Sequence, residues 1–420
     1  LILISIDCLR ADHVGAYGYE RDTTPALDAL AKDGVVYEDA VSVSSWTLPT
    51  HMSMLTGVLP TQHGLRHDQK RFASVPYLPE ILARKGYETI GIVSSLLLTP
   101  TFGFDEGFDR YHALVDVPAA SLVDHAIREV AVPDGRSRFL FLHLFDAHWP
   151  YQPPPELLTR FGPRPKDISD LLKKVIDRRP PAGPDEVEEL KRLYDAEIFA
   201  ADRELGRFFQ ALKDAGRYDR ALIVVTADHG EGFYEHGFWQ HSEVIYSEVT
   251  RVPLIVKWPE NVRRGRESRV VDQLHLFPTI LEAASLETPL ARKGLAAAEE
   301  AEALTEITWE GNETRGAAMK IAIRKGPLKY VATFEGDVSD PKFVSRLVRE
   351  ELYDRSRDPG ETNDLYGKTA AASSRSGFQS DARRFLEEVR ARRSSDPARA
   401  IVLDEETRER LRALGYLDPS

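Results

Sequence analysis

The sequence predicts an α/β fold: a mixed, mostly parallel sheet flanked by helices, with a smaller α+β unit at the C-terminal end. Three observations support this prediction. Short, continuous apolar runs are typical of parallel strands that are buried on both faces. Over residues 1–290 these runs alternate with segments of helical periodicity, which favours a doubly wound sheet. After residue 290, short apolar stretches indicate the strands of a second, smaller unit.

The predicted elements follow one another in a regular order. The first strand is the apolar run Leu1–Ile6, which ends at Asp7. Proline after threonine is a common start signal for a helix, and glycine commonly ends one. From such signals and from apolar periodicity, the following elements are predicted: helices at 24–34, 78–86, 184–215 and 272–284, and strands at 89–93, 139–145, 221–227 and 251–257.

The chain is predicted to divide into a catalytic α/β domain at 1–290 and a linker with a C-terminal α+β subdomain at 291–420. Residues 150–184 are rich in proline, which predicts a surface lid or insert. The Ala/Glu-rich stretch 296–303 predicts a short helix or a linker. Short strands of the second unit are predicted at 321–323, 329–331 and 351–353.

Composition limits the classes of partner. The chain has 55 basic and 67 acidic residues and a net charge of -12, and it lacks the long Lys/Arg cluster that binds a phosphate backbone, so no nucleic acid partner is predicted. Its single cysteine, Cys8, excludes an intrachain disulfide. No apolar run is long enough to span a bilayer. Because the chain opens at Leu1 inside an apolar run without methionine, the N-terminus is expected to be truncated, and a signal peptide, an anchor and the compartment are left open.

Polar residues follow several of the predicted strands. Asp7, Asp146 and the pair Asp228-His229 each come directly after an apolar run. In α/β sheets, ligands bind beyond the carboxyl ends of the strands, so these side chains are expected to converge. Carboxylate oxygens and an imidazole nitrogen suit a hard or borderline divalent cation. Taken singly, each residue is explained as well by a role in a cap or a turn, and Thr47 alone is best explained as a helix cap.

Together, the motifs of the chain resemble the sulfatase-like branch of the alkaline phosphatase superfamily. The resemblance spans nearly the whole chain, and its strength comes from the number of motifs that occur in order. The matching segments, besides Thr47 and its neighbours, are residues 6–13 (IDCLRADH), 24–31 (TPALDALA), 53–57 (SMLTG), 146–151 (DAHWPY), 226–231 (TADHGE), 251–254 (RVPL), 352–354 (LYD), 358–361 (DPGE) and 411–417 (LRALGYL).

The resemblance implies an alkaline phosphatase-like fold and a metal-dependent site. Asp7, Asp228 and His229 match metal ligands of the family, and Thr47 falls where the family keeps its metal-bound nucleophile. One divalent metal ion is therefore expected, either Ca, Mn, Zn or Mg. His148 matches a histidine that contacts the anionic oxygens or the leaving group of the substrate, which suggests a general acid; a structural role for this histidine is the alternative.

The departures from the family pattern bear on the chemistry. Typical sulfatases carry Cys or Ser at the nucleophile position for oxidation to formylglycine, followed by Pro and Arg. Here Thr47 replaces the Cys, Pro49 is kept and His51 replaces the Arg. Oxidation of threonine would give a ketone, so a formylglycine mechanism is not expected. A Gly-Lys-Trp-His segment that helps sulfatases to hold sulfate is also absent, with residues 91–95 in its place.

Cys8 is a second departure, because the family has an aspartate there. The thiol is either a soft metal ligand or simply packed in the core, and the packed thiol is preferred.

Two further histidines, His236 and His241, follow the metal-bearing strand. We expect a catalytic role for His241 and substrate contacts for His51 and His236. As an alternative to a single metal, Asp146 and His148 with His236 and His241 would build a second metal site.

The expected function is the hydrolysis or transfer of phosphate mono- or diesters by metal-bound Thr47. Sulfate ester hydrolysis is one alternative, and a degenerate binding module that keeps the metal is another. The substrate is expected to be an anionic ester on a small molecule, a lipid headgroup or a glycan.

Overall fold

A computed structural model describes residues 1–65, 69–71, 74–130, 135–165, 167–299, 302–309, 318–336, 346–368, 372–392, 399–401 and 403–413. The strands are β1 (Ile2–Ile6), β2 (Val35–Val41), β3 (Gln69–Lys70), β4 (Glu88–Val93), β5 (Arg110–Ala113), β6 (Arg138–Leu144), β7 (Ile223–Thr226), β8 (Gly232–Phe233), β9 (Trp239–Gln240), β10 (Arg251–Val252), β11 (Leu254–Lys257), β12 (Gly265–Asp272), β13 (Ala303–Trp309), β14 (Ala318–Lys325), β15 (Leu328–Glu335), β16 (Arg346–Asp354) and β17 (Arg399–Ala400). The α-helices are α1 (Pro25–Asp33), α2 (Thr47–Thr56), α3 (Pro60–His63), α4 (Leu78–Arg84), α5 (Ala119–Val130), α6 (Ile168–Ile176), α7 (Pro184–Asp214), α8 (Ser247–Thr250), α9 (Leu276–Ala283), α10 (Ala372–Arg392) and α11 (Glu405–Ala413).

The core of the molecule is a mixed sheet, to which the described residues contribute nine strands. Their order is β10-β2-β11-β7-β1-β6-β4-β5, with β12 paired to β2. The strands β7, β1, β6, β4 and β5 run parallel, whereas β11 is antiparallel to both β7 and β2. Helices flank this sheet, so the predicted α/β class with a mostly parallel sheet is confirmed.

Strand β1 occupies the middle of the parallel region. All five of its residues are buried, as its continuous apolar sequence requires, and it pairs with β6 on one side and β7 on the other. Ser5 lies opposite His143 of β6 and Thr226 of β7. The carboxyl ends of the three strands therefore lie side by side, and the residues that follow β1 and β7 meet at one edge of the sheet.

Two helices position the elements around this edge. The whole of α2 is buried, and its first residue is Thr47. The long helix α7 follows the predicted bounds to within one residue and buries an apolar face against α1 and α5.

Several predicted elements differ from the structure. The strand predicted at 251–257 is broken at Pro253 into β10 and β11, and both are antiparallel to β2. Strands β2, β5 and β12 were not predicted. Of the two alternatives predicted for 296–303, a helix or a linker, the helix is not formed by the described residues, and β13 begins at Ala303.

The C-terminal unit is an antiparallel sheet in the order β13-β14-β15-β16, covered by α10. The three strands predicted here are confirmed and are longer than predicted. Its apolar cluster includes Val43, Leu59 and Leu274 from the N-terminal part of the chain. In return, Leu411 of α11 is buried in the main core, and β17 pairs with β3. The two units thus share their apolar contacts. None of the described helices is long and apolar enough to cross a membrane.

Candidate active site

Asp7, Asp228 and His229 lie together at the carboxyl edge of the sheet. Asp7 follows β1, and Asp228-His229 follow the neighbouring strand β7 by two residues. All three are fully buried, and their ligand atoms lie within 4.8 Å of one another. The structure therefore brings together the three side chains predicted as metal ligands, although Asp7 and Asp228 lie 221 residues apart in the sequence.

Each carboxylate of this cluster has one satisfied oxygen and one without a partner. Asp7 Oδ2 lies 3.2 Å from Nε2 of His143, and Asp228 Oδ1 accepts hydrogen bonds from the backbone N–H groups of Cys8 at 3.1 Å and His229 at 2.8 Å. Asp7 Oδ1 and Asp228 Oδ2 are buried and accept none. Burial, together with the charge of Asp7, raises the pKa of the Asp228 carboxyl. Two unpaired oxygens so close together fit a bound cation, because leaving them unpaired is costly.

The ring of His229 is oriented by the backbone carbonyl of the next residue, Gly230. Its Nδ1 atom lies 2.9 Å from the carbonyl of Gly230, and because a carbonyl can only accept, the proton is on Nδ1. The lone pair is therefore on Nε2, which lies 3.3 Å from Asp228 Oδ2 and 3.9 Å from Asp7 Oδ1. A ring fixed in this way through its second nitrogen is typical of metal-binding histidines. The three residues fit a divalent cation.

The Thr47 hydroxyl faces this cluster. Its Oγ1 atom lies 3.2 Å from Nε2 of His229, and the residue is fully buried. As the first residue of α2, Thr47 stands at the positive end of the helix dipole, where negative charge is stabilised. Gln273 holds the surrounding loop: its Nε2 donates to the carbonyl of Asp228 at 3.0 Å, while its Oε1 accepts from the N–H of Val43 at 3.1 Å. The predicted nucleophile is thus fixed relative to the residues that follow β7.

His148 and His241 lie beside the cluster. Their ring centroids are 5.1 Å apart, and the ring of His241 is 4.2 Å from that of His229. Burial lowers the pKa of His148 to about 3 and the pKa of His241 well below its usual value, so both are neutral in the free protein. This pair of imidazoles therefore lies beside His229, whose Nε2 contacts the Thr47 hydroxyl.

His51 lies behind the nucleophile. Its Nδ1 donates to the carbonyl of Thr47 at 2.8 Å, its Nε2 lies 2.9 Å from the hydroxyl of Ser5, and the ring is fully buried. Because both nitrogens are engaged, the ring supports the first turn of α2, and these contacts give no support to the predicted contact with substrate.

His236 points away from the cluster towards the C-terminal unit. Its two ring nitrogens contact Glu248 Oε1 at 2.6 Å and the carbonyl of Glu361 at 3.1 Å, and its ring stacks on Tyr246. These contacts do not support the predicted substrate contact either. Asp146 is also engaged elsewhere, since its Oδ1 accepts from the N–H of Ala119 at the start of α5. The second metal site predicted from Asp146, His148, His236 and His241 is therefore not assembled.

Two residues at the site had no predicted role. His143 contacts Asp7 from the adjacent strand β6, and it was signalled only as the one polar residue in an apolar run. Glu231 is fully buried, and its Oε1 lies 3.0 Å from Nδ1 of His241 while its Oε2 accepts from the hydroxyl of Tyr151 at 3.1 Å. Burial raises the pKa of this carboxyl to about 8. Glu231 lay inside a recognised motif, but nothing in the sequence indicated its contact with His241.

Known proteins share this architecture. A family model described as Sulfatase matches residues 1–286. An N-acetylglucosamine-6-O-sulfatase of Bacteroides thetaiotaomicron is 23% identical over 94% of this chain and 87% of its own length, and the human N-sulphoglucosamine sulphohydrolase is 27% identical over 84% and 82%. Among solved structures, a phosphonate monoester hydrolase from Silicibacter pomeroyi superposes with a TM-score of 0.74 at 19% identity, covering 92% of this chain and 94% of that one.

Proposed function

This chain belongs to the sulfatase family of ester hydrolases, and we propose that it uses Thr47 to cleave or transfer phosphate mono- or diesters. The observation that carries the proposal is the 3.2 Å contact between Thr47 Oγ1 and His229 Nε2. The same His229 Nε2 atom lies 3.3 Å from Asp228 Oδ2 and 3.9 Å from Asp7 Oδ1, the two oxygens without a hydrogen-bond partner. A cation bound there would stabilise negative charge on the Thr47 oxygen and on the group being transferred.

The residues of the site support the following course of reaction. Thr47 loses its hydroxyl proton to water, Oγ1 attacks phosphorus in line and bonds to it, and the bond from phosphorus to the leaving oxygen breaks. The helix dipole of α2 favours the charge that develops beside Thr47. Water or an acceptor alcohol then attacks the phosphothreonine and restores the hydroxyl.

His148 and His241 are the candidates for proton transfer. The leaving oxygen needs a proton, and these two rings lie together beside His229, which contacts Thr47. Burial lowers the pKa of His148 in the free protein, but a bound anionic ester would favour the imidazolium form of a neighbouring ring. Glu231 restrains His241 through its 3.0 Å contact with Nδ1.

Sulfate ester hydrolysis is the second candidate. It is favoured by the names of the two relatives reported above, both of which are described as acting on sulfated glucosamine. For the same reason a glycan is the first substrate class to test, before small-molecule esters and lipid headgroups. Phosphorus is preferred because the residue at position 47 is threonine, which cannot be converted to an aldehyde.

The experiment is an assay of one aryl alcohol presented as phosphate monoester, phosphate diester, phosphonate monoester and sulfate ester, with metal content measured on the same protein. Turnover of a phosphorus ester above the sulfate ester, lost in Thr47→Ala, is the expected result. Faster turnover of the sulfate ester than of every phosphorus ester would overturn the preference. A loaded metal without turnover of any ester would favour the third reading, a binding module.

A further inference from the structure

A small cavity lies between the N-terminal part of the chain and the C-terminal sheet. Of the ten described residues that line it, four are basic, namely Arg251, Arg324, Lys329 and Arg355, and none is acidic. We infer that this cavity binds a chloride ion. None of the lining residues belongs to the active site described above, so the inference does not rest on the proposed function.

Three of the basic side chains are held together by two shared carboxylates. Arg324 Nη2 and Arg355 Nη1 donate to the two oxygens of Asp39, at 2.5 and 3.3 Å. Lys329 Nζ and Arg355 Nε contact Glu361 at 2.8 and 3.2 Å. Neither Asp39 nor Glu361 lines the cavity. The walls therefore present the cations and not their carboxylate partners.

The cations outnumber these carboxylates. Arg324, Lys329 and Arg355 carry three positive charges, and Asp39 and Glu361 carry two negative ones, which leaves an excess of one positive charge. The three basic side chains are 7%, 5% and 9% exposed, so water screens this excess poorly. A buried charge without a counter-charge is costly, and a monovalent anion in the cavity would balance it.

The next charged neighbours leave this excess unchanged. Arg251 adds one positive charge, since its Nη2 donates to the backbone carbonyl of Glu38 and not to a carboxylate. Glu248 adds one negative charge, which acts on Lys329. The sum over the neighbourhood is again one positive charge.

The cations also act on one another. Burial lowers the pKa of Lys329 and the pKa of Arg324, and the charge of Arg355 lowers both pKa values further. Like charges repel strongly where water is excluded. An anion among the three groups would offset this repulsion, as Asp39 and Glu361 do only in part.

Unused hydrogen-bond donors are available for the anion. A guanidinium group has five N–H groups, but only Nη1 of Arg355 donates a hydrogen bond within the described chain, to Asp39. The buried Nε of Arg355 has no hydrogen-bond partner there, because its contact with Glu361 is poorly aligned. The lining hydroxyls of Ser247, Thr250 and Thr305 already donate to other groups of the protein. The cations are therefore the donors for the ligand.

The size of the cavity selects the kind of anion. It has room for one particle of about the size of a water molecule. Chloride is close to this size and carries the single negative charge that the count requires. Phosphate and sulfate, with four oxygens around a central atom, are too large, and water has the right size but no charge.

The test compares sodium chloride with sodium gluconate, whose anion is too large for the cavity. Thermal unfolding of the full chain is followed by circular dichroism while chloride replaces gluconate at constant ionic strength. We expect a saturable rise of a few degrees in the unfolding midpoint, because a ligand that binds only the folded state stabilises it. The same midpoint in both salts would overturn the inference.

Variants locate the effect in the cavity. Arg355→Met removes one cation from the wall and should abolish the dependence on chloride, whereas Arg355→Lys keeps a positive charge and should retain part of it. Arg346→Met replaces an arginine of the same sheet whose side chain is 75% exposed, and this control should keep the full effect. A full chloride effect in Arg355→Met would contradict the site.

A direct measurement on the wild-type protein serves even if Arg355→Met does not fold. Bromide replaces chloride in such sites and scatters X-rays anomalously. Crystals soaked in sodium bromide should show an anomalous difference peak between Arg324, Lys329 and Arg355. The absence of a peak at this position would overturn the inference, whatever the result of the ester assays.

Discussion

The Nε2 atom of His143 lies 3.2 Å from Oδ2 of Asp7, across the boundary between two parallel strands. Both side chains are fully buried. His143 is opposite Ser5 in the register of β1 and β6, which lets its ring reach the residue just beyond the end of β1. The contact holds one oxygen of Asp7 and leaves the other for a cation.

Replacing His143 should weaken metal binding without changing any ligand. His143→Phe removes the N–H donor to Asp7, and we expect the metal Kd to rise about 10- to 100-fold. His143→Gln keeps an N–H donor and should lose less. The Kd is measured by competition with a chelator. His125→Gln also removes one histidine, but outside the site, and serves as the control. An unchanged Kd in His143→Phe would contradict this role.

Thr47 variants test the nucleophile. Thr47→Ala should lower kcat by roughly 10³-fold or more, because no other hydroxyl replaces the attacking oxygen. Thr47→Ser keeps the hydroxyl and should retain much more activity. Mass spectrometry of acid-quenched wild-type protein should detect a phosphoryl group on Thr47 during turnover of a phosphate ester. Full activity of Thr47→Ala would rule out the nucleophilic role.

The C-terminal unit contains a buried ion pair whose partners are not equivalent. Glu361 contacts Lys329 Nζ at 2.8 Å and Arg355 Nε at 3.2 Å, and it accepts from the N–H of Ser247 at 3.1 Å. Its side chain is 0% exposed, and that of Lys329 is 5% exposed. Burial lowers the pKa of Lys329, as expected for an ammonium group out of water.

From this arrangement we expect Glu361→Ala to destabilise the protein more than Lys329→Met. The first leaves buried cations without their carboxylate and should cost about 3–5 kcal/mol, whereas the second leaves Glu361 with Arg355 and Ser247. Thermal or denaturant unfolding measures the difference. Glu335→Ala removes an exposed partner in the same unit and should cost about 0–1 kcal/mol. Equal losses for the first two variants would show that Lys329 is the main partner.

Glu197 on α7 should make stability depend on pH. Burial, with the charge of Asp146, raises the pKa of this carboxyl from 4.5 to about 9. The folded state then keeps a proton that the unfolded state releases above pH 4.5. The free energy of unfolding should therefore fall as the pH rises from 4.5 to about 9, by up to about 1.4 kcal/mol per pH unit.

Glu197→Gln tests this dependence. The amide oxygen can still accept the hydrogen bond from the N–H of Gln152, but the group no longer titrates. The variant should be more stable than the wild type at pH 8 and should show a flatter profile, measured by unfolding across pH. Glu156→Gln, at an exposed position, should follow the wild-type profile. Parallel curves for Glu197→Gln and the wild type would refute the assignment.

The strands that build the site were predicted from local signals. An apolar run followed by a polar residue identifies β1, β6 and β7, and parallel packing brings Asp7 and Asp228 together without further information. Strand β2 was missed because Glu38 and Asp39 interrupt its apolar sequence, in a strand whose neighbours β10, β11 and β12 lie far along the chain. The antiparallel direction of β11 depends on the same long-range pairing, which no local pattern encodes.

Site residues were predicted where their neighbours in the sequence determine their position. They were missed where their position depends on residues that are close only in the folded structure. His51 was expected to contact substrate because it occupies a family position. Once α2 begins at Thr47, however, the four-residue spacing places its ring under the Thr47 carbonyl. The contact between Glu231 and His241 depends on how the chain folds between β8 and β9, and the sequence does not reveal it.

The position of β1 also has a consequence for biosynthesis. Ile2 pairs with Leu140 of β6 and with Ile223 of β7. During synthesis, β1 therefore has no partner strand until β6 has been translated, and one of its edges stays unpaired until β7 has been translated. Closing such long loops is slow, and bare apolar edges recruit chaperones or aggregate. Arrested nascent chains that end before β7 should therefore remain bound to chaperones and fail to retain metal. The active site would accordingly assemble only after most of the chain has been synthesised.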